Sequence, residues 1–147
     1  MSDTGYRRVV TGTNDSGQSC VIIDGPVPNN NPGLGIAWRT EGVPADNSGT
    51  TEIEVQSFTL EHMQDGSTNF LVAEYPPGAE VAEHKTDTID YVIVTSGEVV
   101  LTLEAGETRL RAGDFVVNRG VMHGWRNEGT EPAITVVVSI PAHPVEG

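Results

Sequence analysis

Apolar and polar residues alternate along this chain in short runs, and glycine, proline, asparagine or aspartate breaks each run after a few residues. Alternation with a period of two is the pattern of strands that bury one face. It predicts strands over residues 8–11, 19–23, 35–40, 56–60, 69–75, 91–95, 98–104, 107–110, 114–117 and 133–140. No long window keeps apolar residues at i, i+3, i+4 and i+7, so almost no helix is expected. Pro76-Pro77-Gly78 ends one strand, Ser96-Gly97 joins two, and Ala105-Gly106 closes a hairpin, which makes the second half an antiparallel meander. Residues 25–31 and 41–50 are rich in Pro, Asn, Gly and Asp and are expected to be loops within one domain. Regularly spaced short strands, with no internal repeat and no heptad, predict an all-β sandwich or barrel.

Composition narrows the partners. A chain of 147 residues is the length of one domain, enough for one core and one internal pocket. Its formal charge of −13 repels nucleic acid, anionic lipid and nucleotide-like substrates, so a neutral or weakly charged small molecule is the expected ligand. The single cysteine, Cys20, excludes an intramolecular disulfide framework and a Cys-rich zinc site, and it fits a reducing cytoplasm. The first residues lack the pattern of a secretory signal, and no run approaches the ~20 apolar residues that span a bilayer. A soluble, cytoplasmic, unprocessed protein with no membrane partner is expected. There is also no phosphate-cradling glycine loop before a helix, no Gly-x-Ser-x-Gly elbow and no His-Glu-x-x-His.

The candidate chemistry lies between Gly78 and Asn127. In extended chain, residues two apart share a face, so His84 and Thr86 should project together. Asp90 follows a short turn and opens the next strand, with Val92 and Val94 on its face. If that face is inward, a carboxylate, an imidazole and a hydroxyl share an apolar interior, where each needs a hydrogen bond or a bound partner. Aspartate is also a common turn residue, and the histidines could be satisfied interior side chains with no chemistry.

Two segments resemble the motifs of the cupin superfamily. The first is Gly78, five residues, His84-Lys85-Thr86, three residues, Asp90, six residues, Gly97. The family's usual form has a second histidine where Thr86 stands and a glutamate where Asp90 stands. The second runs from Gly113-Asp114 through Arg119-Gly120 to His123 and Asn127, one residue shorter than the common form and with Arg119 near the usual proline. The resemblance implies a double-stranded β-helix barrel in one domain over residues 1–147. Residues 1–57 would add strands and loops that pack on a core at 58–141. It also places His123 across the barrel from His84, with Asp90 as a third group.

Such a set matches a facial triad with open positions for iron, zinc, manganese or nickel, with Thr86 as a hydroxyl beside the metal. Aspartate reaches roughly 1.5 Å less far than glutamate, so Asp90 could fall short, and a metal-free acid–base site is the alternative. The expected function is a small-molecule enzyme of secondary metabolism, of cyclase, isomerase or lyase type, acting on a carbonyl-bearing or phenolic substrate. One histidine would remove a proton beside the carbonyl while the metal or the other histidine steadies the enolate. A metal-dependent dioxygenase or other oxidoreductase and a non-catalytic ligand-binding protein are the competitors. The resemblance implies a homodimer, for which the edges of the strands at 8–11 and 19–23 are the expected contact.

Weaker candidates surround this set. Trp125 lies two residues from His123, either as a flat wall for a substrate ring or as ordinary core. Tyr75, with Glu74, ends a strand and could rim the pocket. Tyr91 should point to the face opposite Asp90, toward packing or an interface. His62 and His143 stand in loop-like contexts and are expected at the surface.

Overall fold

The structure, a computed structural model, describes residues 3–54 and 57–145. In chain order the strands are β1 (Asp3–Thr13), β2 (Ser19–Asn31), β3 (Leu34–Thr40), β4 (Thr68–Tyr75), β5 (Glu80–His84) and β6 (Thr88–Ser96). They continue with β7 (Glu98–Leu103), β8 (Gly106–Arg111), β9 (Phe115–Asn118), β10 (His123–Arg126) and β11 (Ala133–Pro141). Among the described residues a single 3-10 turn, Leu60–Met63, interrupts them. All sheet pairings are antiparallel. One sheet has seven strands in the order β1-β2-β3-β4-β11-β6-β9, the other four in the order β5-β10-β7-β8.

The core lies between the two sheets. Val92, Val94 and Ala133 of the larger sheet cluster with Val99, Leu101, Leu110 and Trp125 of the smaller one. Alternation puts them there: in β6, Thr88, Asp90, Val92 and Val94 are buried while Tyr91 and Thr95 are exposed. The turn between β6 and β7 needs a glycine. Gly97 has φ of +71°, and a Cβ there would sit 2.4 Å from the Pro132 carbonyl oxygen.

Three expectations are corrected. Residues 25–31 are not a loop, because they continue β2 alongside β1, with Pro26 opposite Arg7 and Pro28 opposite Asp3. β3 takes up β2 only at Asn29 and Asn31, which leaves the donor-less proline nitrogens a side with no ladder to break. The strand expected at 56–60 begins on Gln56, outside the described residues, and 57–59 form no strand. The chain there enters the 3-10 turn, where His62 Nδ1 accepts from the Thr59 backbone N–H at 2.9 Å. Finally, β5 and β10, the strands that end or begin on the two histidines, were not among the expected strands. Their sequences, Glu-Val-Ala-Glu-His and His-Gly-Trp-Arg, carry little β propensity, and pairing with each other holds them.

Among the described residues, no helix is long and apolar enough to cross a membrane.

Candidate active site

β5 and β10 are neighbours in the four-stranded sheet and pair so that His84 and His123 face each other on adjacent strands, not from across the barrel as expected. Gly124 permits this closeness, since a Cβ on it would meet the Val81 carbonyl oxygen at 2.6 Å and the Thr102 hydroxyl at 2.8 Å. The two rings stand with centroids 4.4 Å apart and planes tilted by 53°. Each Nδ1 donates to the carbonyl oxygen two residues back, His84 to Ala82 and His123 to Val121, both at 2.9 Å. That bond fixes the same tautomer in both rings and leaves each Nε2 as the lone-pair nitrogen. His123 is buried, and His84 is half-buried.

Asp90 enters from the other sheet and is 5% exposed. Its Oδ1 accepts from the Thr88 hydroxyl at 2.8 Å, and Thr88 in turn accepts from the Thr86 hydroxyl at 2.8 Å. Thr86 is therefore not on one strand with His84, as its spacing suggested. β5 stops at His84, and Thr86 joins a hydroxyl chain that ends on Asp90. Burial raises the Asp90 carboxyl above its ordinary range, against the Thr88 hydrogen bond and the nearby His84 charge, which pull it down. His123 moves the other way, lowered by burial, with the Val121 carbonyl opposing and the His84 charge reinforcing the shift. Both shifts run toward the uncharged form of the group.

Strand register adds residues that reading along the chain did not find. Asp90 lies opposite Asn118 on one side and Ser139 on the other, Ser139 opposite Asn69, and Asn69 opposite Arg39. These form a polar row across five strands, on the face where the next row is Val116, Val92, Val137, Leu71 and Ile36. Asn69 accepts from Arg39 Nε at 2.6 Å and donates to Ser139 at 3.2 Å. Asn118 Oδ1 is buried with no hydrogen-bond partner among the described residues. Only the step from Thr86 through Thr88 to Asp90 was legible locally, as period-two alternation. A cleft of about 690 Å³ borders the far end of the row at Arg39, and its lining includes Glu41, Glu52, Glu54, His62 and Asp65 but neither histidine of the pair.

The remaining candidates sort cleanly. Trp125 is 7% exposed and belongs to the core, with its ring edge-on to His123 at 6.1 Å. Tyr75 packs against that core 6.3 Å from Trp125, and burial pushes its phenol up to about 12, so it stays protonated. Glu74 points away and accepts from the Tyr6 hydroxyl at 2.6 Å. His62 caps the 3-10 turn and stacks on Phe58 at 5.5 Å, and His143 is exposed.

The three-ligand metal set His84, Asp90 and His123 is not assembled here. Among the described residues, no three His, Cys, Asp or Glu side chains come together as a metal-holding group. Asp90 is the shorter carboxylate, and its Oδ1 is turned to Thr88. The donors that do fit a metal are the two imidazoles, which is one ligand fewer than a facial triad requires.

The cupin domain family matches residues 71–139, from β4 to β11. The cupin-domain-containing oxidoreductase fogC of Aspergillus ruber is 30% identical over 151 residues, covering 94% of this chain and 73% of that protein. This chain belongs to the cupin superfamily. Phomopsin biosynthesis cluster protein D of Diaporthe leptostromiformis is 34% identical over 117 residues, covering 76% of this chain and 62% of that protein. The chain thus spans somewhat under two thirds of that relative's length. Relatives in Neurospora crassa and Hypocrea virens carry the same description as the Aspergillus ruber protein. Among solved structures, a Klebsiella pneumoniae protein with a double-stranded β-helix domain superposes with a TM-score of 0.54 at 25% identity, over 79% of this chain and 84% of that one. The cupin's relatives therefore include proteins of fungal secondary-metabolite clusters, several of them named oxidoreductases.

Proposed function

We propose that this cupin is an oxidoreductase of secondary metabolism, acting on a small phenolic or carbonyl-bearing substrate held against the His84–His123 pair. One observation carries the reading: both imidazoles have Nδ1–H committed to their own backbone and stand with ring centroids 4.4 Å apart, which leaves an Nε2 lone pair on each of two neighbouring rings. The descriptions of four relatives support the redox direction over the isomerase or lyase chemistry first expected. In this reading an Nε2 takes the proton from a phenol, or from carbon beside a carbonyl, and Asp90, in its protonated form, donates a hydrogen bond to the oxygen that gains charge. Molecular oxygen is the electron acceptor in this proposal. A hydroquinone would leave as quinone, and oxygen would take up both electrons and both protons as hydrogen peroxide.

A redox-neutral acid–base reaction is the second reading, favoured by the opposite shifts of Asp90 and His123. Oxygen uptake with a panel of simple hydroquinones and β-diketones separates the two. Uptake matching product formation, lost in His123→Ala, supports the oxidoreductase. Turnover with no oxygen consumed would replace it with the isomerase or cyclase reading. Binding without any turnover would leave a ligand-binding protein.

A further inference from the structure

Two asparagines stand in the polar row of the large sheet, and they differ in how their amides are satisfied. Asn69 is 1% exposed; its Oδ1 accepts from Arg39 Nε, and its Nδ2 donates to Ser139 and to the His62 carbonyl oxygen. Asn118 is 5% exposed, and its Oδ1 has no donor among the described residues. Its place in the fold explains the difference. β9 is the last strand of its sheet, so no further strand brings a donor from its open side, and on its paired side it faces Asp90, which makes no bond to that oxygen. Burying an amide oxygen without a donor is costly, and such a group is normally met by something outside the chain.

We propose that Asn118 Oδ1 receives a second hydroxyl of the substrate, so that the site selects an aromatic diol over a simple phenol. This rests on reading the His84–His123 pair as the substrate site. Topology puts the parts at one end of the barrel. β5 ends on His84 and β6 begins at Thr88, two residues before Asp90, while β9 ends on Asn118 and β10 begins on His123. Both connections cross from one sheet to the other, and they touch: a Cβ on Gly120 would lie 3.1 Å from the carbonyl oxygens of Thr86 and Thr88. Farther along β6 the interior is closed by Val92 and Val94, which pack with Val99, Leu101 and Trp125. The chemistry of the acceptors then divides two hydroxyls between them. An imidazole Nε2 is basic enough to take a phenolic proton, whereas a neutral amide oxygen only accepts a hydrogen bond and holds its hydroxyl in the O–H form. Facing residues on paired strands have Cβ atoms roughly 4.5–5.5 Å apart, a separation that neighbouring hydroxyls of one ring bridge between Asp90 and Asn118.

Binding measured without oxygen tests this apart from turnover. Catechol and phenol are titrated anaerobically into the intact chain by calorimetry, using the wild type and Asn118→Leu, which has a similar volume and no acceptor. Asn118→Ala takes its place if circular dichroism shows that the leucine variant does not fold. The wild type should bind catechol tighter than phenol by roughly tenfold or more, because phenol leaves Oδ1 unpaired. In the variant that ratio should fall to about one. Saturating catechol should also raise the melting temperature of the wild type more than that of the variant. A wild type that binds the two equally or binds neither, or a variant that keeps the preference, would overturn the proposal and leave Asn118 to a buried water. Failure of the redox reading looks different: a catechol preference lost in Asn118→Leu, with no oxygen uptake, removes that reading alone, and oxygen uptake without the preference removes this one alone.

Discussion

Asn127 should be among the most costly polar residues to remove, although it makes no contact with the histidine pair. It is 1% exposed. Its Nδ2 donates to the carbonyls of Tyr75 at 2.8 Å and Glu131 at 2.9 Å, and its Oδ1 accepts from Gly129 N–H at 2.8 Å. Three side-chain bonds therefore tie the end of β4 to the loop between β10 and β11. The backbone bonds of Asn127 with Gly78 and Ala79 are untouched by substitution, so Asn127→Ala isolates the side chain. At about 1 kcal/mol per hydrogen bond, with the freed buried groups adding part of their desolvation cost, the loss is roughly 3–4 kcal/mol. For a chain of this length that lowers the melting temperature by roughly 10 °C. Asn127→Asp keeps the acceptor for Gly129 but sets a carboxylate against two carbonyl oxygens, and it should cost at least as much. Urea denaturation followed by tryptophan fluorescence measures both. If both variants lie within about 1 kcal/mol of the wild type, the network does not hold the loop and the reasoning fails.

Asp90→Asn should stabilise the protein at neutral pH. The folded chain keeps a proton that the unfolded chain releases above the ordinary carboxylate pKa of 3.8, so Asp90 costs stability as pH rises through that window. The variant's advantage in melting temperature should appear above that range and vanish at lower pH, and an equal advantage at all pH values would contradict the assignment. Thr88→Val should cost roughly 1–3 kcal/mol, since it removes the hydroxyl between Thr86 and Asp90, and a neutral change by denaturant titration would show that the chain of hydroxyls does not matter. Gly97→Ala should cost roughly 2 kcal/mol or more, because it combines a positive φ with a collision at the Pro132 carbonyl, and an unchanged midpoint would refute that. Chelator treatment should leave the melting temperature nearly unchanged, since only two imidazoles converge, and a drop comparable to that of Asn127→Ala would mean that a metal holds the barrel together.

Much of the architecture was written in local pattern. Alternation in β4, β6, β7 and β11 and the turn chemistry at Gly78, Gly97 and Gly106 depend on a few adjacent residues, and the period-two spacing of Thr88, Asp90, Val92 and Val94 carried through to one buried face. The motif spacing likewise brought His84 and His123 forward. Tertiary structure decided the rest, because strand pairing is non-local. Residues 25–31 became strand through β1, and the histidine-bearing β5 and β10 became strands through each other. Asn118, Ser139, Asn69 and Arg39 lie up to 100 positions apart in sequence, yet register sets them in line with Asp90. The same register turned Tyr91, Phe115 and Val117 outward together, and it set Asp90 inward, where its Oδ1 accepts from the Thr88 hydroxyl.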